Sequence, residues 1–194
     1  MTFLFDIGNV LLNLHFERFH EIILPAGQTD LTAEMLELKD PYESGQISDE
    51  DFVTRSLALI DKPLTREEFT QAWQNIFSLN EPMWEVVRQL RADGHRLILF
   101  SNTNALHSDY FLKTYEPFSL FHHHHFSQKT GANKPDPKFY ENAIRDYNLV
   151  PKETLYLDDL AENIDTGIAL GFQCFQYDLN DHAAALEWLE IQNI

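Results

Sequence analysis

Cysteine is nearly missing from this chain: Cys174 is the single one among 194 residues. No disulfide can close within it, which points to a reducing compartment. Glycine (7) and proline (8) are scarce as well, which excludes collagen-like repeats and low-complexity disorder. No apolar run approaches the roughly 18 residues of a membrane span. The opening residues, MTFLFDIGNVLLNL, carry no basic patch, and Asp6 interrupts their apolar run, so they do not read as a secretory leader. Positive charge is short: 14 Lys and Arg stand against 31 Asp and Glu, a formal net charge of −17. Binding to phosphate backbones needs a basic surface, so neither nucleic acid nor an anionic membrane is an expected partner. The expectation is a soluble, cytoplasmic protein. If its substrate is a phosphate ester, a metal or a lysine must reverse the repulsive field locally.

Apolar types make up 44% of the chain and aromatics 13%, enough for one domain or a core with a small inserted subdomain. Phe3-Leu4-Phe5, Leu97-Ile98-Leu99-Phe100 and Thr154 to Leu157 read as buried strands. Each stops at a polar cluster: Asp6, Ser101-Asn102, and Asp158-Asp159. Helical spacing follows over Pro82 to Asp93, from Asp136-Pro137 to Tyr147, and over Ala161 to Leu170. Gln173 to Tyr177 reads as another strand and His182 to Ile191 as a closing helix. Strands alternating with helices predict an α/β fold with a doubly wound parallel sheet. In such sheets ligands bind beyond the carboxyl ends of the strands, where the three clusters would converge.

Residues 15–80 break the alternation. Ser48 with Asp51 and Thr65 with Glu68 match capping boxes. After the second, Phe69, Ala72, Trp73, Ile76 and Phe77 keep a helical apolar spacing. The expected organisation is therefore a core of residues 1–14 and 81–194 with a helical cap of residues 15–80. That cap is either a mobile lid or a layer packed permanently on the sheet.

Asp6 is ionised at neutral pH, so it can serve as a nucleophile without a base, or as a ligand for a hard cation. Alone it reads equally as a loop cap. Asp158 and Asp159 repel each other unless a cation sits nearby, and only one of two consecutive side chains points straight at a given ion. Ser101 and Asn102 offer a hydroxyl and amide donors to phosphate oxygens, or simply cap a helix. Lys134, in a Pro-flanked loop, could neutralise a carboxylate and a phosphate together, or be a surface lysine.

In this order, Phe-Asp6-Ile-Gly8-Asn9-Val, Leu-Phe-Ser101-Asn102-Thr-Asn, Asn-Lys134-Pro-Asp-Pro and Leu-Asp158-Asp159-Leu-Ala-Glu-Asn163 resemble the four motifs of haloacid dehalogenase superfamily phosphatases. The likeness spans the whole chain. Its finer features, such as Ser-Asn-Thr-Asn-Ala-Leu-His107, look most like the bacterial α-D-glucose-1-phosphate phosphatases. The resemblance implies a Rossmann-like core with a cap inserted after the first strand. It implies a Mg²⁺-dependent phosphatase of small phosphorylated metabolites, such as a sugar phosphate, working through an aspartyl-phosphate. Asp6 would be the nucleophile. Asp6, the Gly8 carbonyl oxygen and Asp159 would hold Mg²⁺, with Asp158 and Asn163 in support. Ser101, Asn102 and Lys134 would bind the phosphoryl group, and Lys134 would also act in catalysis.

Gly8 departs from the resemblance, since most such phosphatases carry an acid/base Asp there. An anomeric leaving group needs less protonation, so a sugar 1-phosphate suits the gap. His15 is a substitute acid by its pKa range, or merely a surface residue. Two rivals remain: a metal-independent 2-haloacid dehalogenase, which the Asp158-Asp159 pair tells against, and a non-catalytic phosphate-binding protein. His122, His123, His124 and His125 form a run, but a strand would send alternate rings to opposite faces, so at most two could share a ligand. Oligomeric state is not legible.

Overall fold

The computed structural model describes residues 1–25, 27, 28 and 30–192. In chain order, β1 (Thr2–Phe5) and β2 (Leu12–Leu14) precede the helices α1 (Phe16–Ile23), α2 (Ala33–Leu36), α3 (Lys39–Glu43), α4 (Asp49–Leu59) and α5 (Arg66–Gln74). Next come β3 (Phe77–Leu79), α6 (Glu81–Ala92), β4 (Arg96–Ser101), α7 (Ala105–Thr114), β5 (His123–Phe126) and α8 (Ser127–Thr130). The chain closes through α9 (Pro137–Tyr147), β6 (Thr154–Asp158), α10 (Ala161–Ala169), β7 (Gln173–Gln176) and α11 (His182–Ile191).

Five strands form one parallel sheet in the order β5-β4-β1-β6-β7. The period of two along each strand builds two cores. Phe3, Phe5, Leu97, Leu99, Leu155 and Leu157 face one side, with Trp84 and Val87 of α6 and Phe111 of α7. Leu4, Ile98, Phe100 and Tyr156 face the other, against Phe139 and Tyr140 of α9 and Ile164 of α10. The sheet is thus doubly wound. Strand order reverses at β1, whose two neighbours continue the chain outward in opposite directions, and a ligand crevice opens at such a point. No helix among the described residues is long and apolar enough to cross a membrane.

Among the described residues, the segment between β2 and β3 holds helices and no strand, and those two strands pair antiparallel as its stem. This corrects the helical expectation for Ile76 and Phe77. α5 ends at Gln74, with the Asn75 amide turned back to Gln71 and Ala72. Phe77 then pairs with Leu14 across the stem. A partner some sixty residues away overrides the local period, which a short window cannot register. Thr65 makes the full capping box, whereas at Ser48 the shorter Asp51 reaches only the serine hydroxyl. The insertion docks on the core. His107 of α7 donates from Nε2 to the Trp73 carbonyl (2.9 Å) and stacks on its indole. Phe19, Phe52 and Phe69 join the same apolar cluster as the sheet.

Candidate active site

Register places the chemistry. Phe5 stands opposite both Leu99 and Leu157, so Asp6 comes level with Phe100 and Asp158 at the carboxyl ends of three adjacent strands. Lys134 enters from the loop before α9, and its ammonium donates to Asp6 Oδ1 (2.8 Å), the Phe100 carbonyl (2.9 Å) and Asp158 Oδ2. All three of its donors are used, and it is 5% exposed. Asn102 sets it there: its carboxamide accepts from the Lys134 amide (2.8 Å) and donates to the Lys134 carbonyl (2.9 Å).

Asp158 is fully buried, and four donors saturate it. Oδ2 accepts from Lys134 and the Tyr156 hydroxyl; Oδ1 accepts from the Leu160 amide and Asn163 Nδ2, each at 2.9 Å. Asp159 is half-buried and accepts from Asn9 Nδ2 at 3.0 Å and from its own backbone amide. Oxygens of Asp6, Asp158 and Asp159 lie within 4.8 Å of one another. Three carboxylates against one ammonium leave surplus negative charge, and a set of hard oxygens is what a Mg²⁺-like cation takes. The donor chemistry therefore fits the ion. Because hydrogen bonds fill Asp158, the open lone pairs belong to Asp6 and Asp159. No described residue donates to the Gly8 carbonyl oxygen.

Burial pushes the Asp6 carboxyl up to about 7; Lys134 pulls it down, and Asp158 and Asp159 push it up. Burial also raises Asp159, with Asn9 easing it. Burial alone would lower the Lys134 ammonium, but Asp158 and Asp6 push it above its usual value, so it stays charged. The Asp6 shift has a consequence for stability. Without metal, the folded protein keeps a proton on Asp6 between about pH 4 and about pH 7 that the unfolded chain has lost. Stability from this group therefore falls as pH rises through that window. Melting of the metal-free protein from about pH 5 to about pH 7.5 is expected to lose ~1–3 kcal/mol more in wild type than in Asp6→Asn. Identical pH slopes in the two proteins would refute this.

Ser101 is buried, its hydroxyl directed to the Asn102 carbonyl (3.3 Å), and the Asn102 amide donates to no described group. Asp6, Gly8, Ser101, Asn102, Lys134, Asp158, Asp159 and Asn163 thus gather at one end of the sheet. His15 does not join them. Its ring bonds Ser78 Oγ (2.8 Å) and Glu17 (3.2 Å). Alternation along the stem places it on the face opposite Leu14, whose side chain abuts Gly8. The histidine run disperses as well. His122 accepts from the Leu97 amide, His123 and His125 pack on Tyr147, and His124 stacks on Phe126. Sequence reasoning missed Tyr156 and Asn9. Tyr156 was accessible from the two-residue period that it shares with Asp158; Asn9, at φ 52°, gave no such signal.

The family model for haloacid dehalogenase-like hydrolases matches residues 1–171. A D-ribitol-5-phosphate phosphatase from Bacteroides thetaiotaomicron is 28% identical over 188 residues, 89% of this chain and 89% of that protein. A HAD family enzyme from the same organism, solved with magnesium and inorganic phosphate, superposes with a TM-score of 0.81 at 24% identity, covering 92% and 94% of the two chains. A predicted HAD-like family hydrolase from Porphyromonas gingivalis gives a TM-score of 0.77 at 29% identity, covering 97% of each.

Proposed function

The chain belongs to the haloacid dehalogenase-like hydrolase family, and from that premise we propose that it is a Mg²⁺-dependent phosphatase of small phosphorylated metabolites. One observation carries the reading: three carboxylates and one triply bonded lysine meet at the strand ends where the sheet's order reverses. The curated relative that acts on D-ribitol 5-phosphate supports a polyol or sugar phosphate as substrate class, glucose 1-phosphate among them.

Asp6, the Gly8 carbonyl oxygen and Asp159 would hold Mg²⁺, which when bound neutralises charge on the transferring phosphoryl oxygens. Asp6 attacks phosphorus and becomes an aspartyl-phosphate, which water then hydrolyses. Lys134 orients the Asp6 carboxylate and offsets the charge that gathers as phosphate arrives. Ser101 and the Asn102 amide receive phosphoryl oxygens. Asp158 holds Lys134 and the last loop in place.

Phosphate release from 4-nitrophenyl phosphate and a panel of sugar and polyol phosphates, with Mg²⁺ and with chelator, tests the reading. Activity is expected only with Mg²⁺. Asp159→Ala should mimic chelation, whereas Asp158→Ala should lose fold stability first, because it strips a partner from Lys134, Tyr156 and Asn163. Equal rates with and without chelator would contradict the metal's role. Turnover of 2-haloacids with no phosphate release would install the dehalogenase in its place.

A further inference from the structure

Gly8 presents no side chain to a leaving group, and the inserted segment comes down on the same end of the sheet. Glu43 ends α3, and two contacts seat it at the site. Ser127 Oγ lies within hydrogen-bond distance of the carbonyl oxygens of Glu43 and Thr103 and accepts from the Thr103 amide (3.0 Å). The backbone of residue 43 is thereby pinned beside the loop that follows Ser101. Two residues on, Gly45 has φ +71°, and a Cβ there would stand 2.4 Å from the Gln128 carbonyl oxygen. Only glycine lets the chain run this close to α8.

The Glu43 side chain is half-buried, and no described group donates a hydrogen bond to its carboxyl. The charges that reach it are Lys39 and Asp40 on its own helix and, from the core, Lys134. Ser127 and Thr103 follow the carboxyl ends of β5 and β4, so residue 43 stands over the same end of the sheet as Asp6. We propose that Glu43 is the acid–base residue of the phosphatase reaction, standing in for the side chain that Gly8 lacks. The inference rests on the phosphatase reading above.

The protons balance. As the Asp6–phosphorus bond forms and the ester oxygen–phosphorus bond breaks, the Glu43 carboxyl gives its proton to the leaving oxygen, and the alcohol departs. Water then attacks phosphorus, and Glu43 takes its proton. The Asp6–phosphorus bond breaks, releasing inorganic phosphate and restoring both carboxyl groups. Burial raises the proton affinity of Glu43 against the pull of Lys39, the direction that an acid for the first step requires.

The test is a graded series of esters, from 4-nitrophenyl phosphate to an alkyl phosphate, with Mg²⁺. Glu43→Gln should lower kcat for the alkyl ester about 10²–10⁴-fold and for the nitrophenyl ester less than tenfold, and Glu43→Asp should keep part of the rate. Adding Gly8→Asp to Glu43→Gln should return part of the alkyl activity. The φ of Gly8 is not positive, and a Cβ there would lie 3.8 Å from Asp6 Oδ2 and 3.1 Å from the movable end of Leu14. Wild type supplies a reading that no variant can spoil by misfolding: an alkaline decline of kcat for the alkyl ester that the nitrophenyl ester lacks. Equal losses for every ester, no loss at all, or the same alkaline limb on both substrates would overturn the role of Glu43. Wild type that releases phosphate from no ester would overturn the phosphatase reading, and the role with it.

Discussion

Asp6→Asn is expected to fold and to lose turnover about 10⁴-fold or more. The amide is nearly isosteric, and its oxygen can still accept from Lys134, as Asp6 Oδ1 does at 2.8 Å. It is, however, a poor nucleophile and a weak ligand for a hard cation. Without metal and at neutral pH the variant should be no less stable than wild type, because it removes one of three crowded carboxylates. Phosphate release within tenfold of wild type would remove Asp6 from the chemistry.

Lys134→Met should cost about 3–5 kcal/mol of stability and abolish turnover. The methionine fills most of the volume but supplies none of the three hydrogen bonds. Asp6, Asp158 and the Phe100 carbonyl would be left facing one another in a buried site. The rings of Phe100 and Tyr156, 5.7 and 5.8 Å from the ammonium, would lose a cation as well. Lowering the pH should restore part of the stability, since the stranded carboxyls can then bind protons. Denaturant unfolding at two pH values checks both statements; a variant as stable as wild type at neutral pH would contradict them.

The core sheet was legible because β1, β4 and β6 are each an apolar run closed by a polar cluster, and the two-residue period held in all three. Asp6, Ser101 and Asp158 were legible for the same reason, being strand ends. What escaped depended on contacts between distant parts of the chain. The stem pairs Leu12 with Leu79 and Leu14 with Phe77, so Phe77 looked helical by local spacing. His15 looked available until Ser78 and Glu17 claimed its ring. Glu43, between Tyr42 and Ser44, carried no signal of its own; docking through Ser127 and Gly45 brings it over the strand ends. The four histidines drew attention by composition, yet His122 and His124 turn to Leu97 and Phe126 while His123 and His125 pack on Tyr147.

In the proposed reaction Asp6 carries the phosphoryl group. Quenching the enzyme with borohydride during Mg²⁺-supported turnover, then mapping its peptides, tests this most directly, because borohydride reduces an aspartyl-phosphate to homoserine. Homoserine is expected at position 6, dependent on Mg²⁺ and on substrate. Aspartate intact at position 6 while phosphate is being released would contradict it.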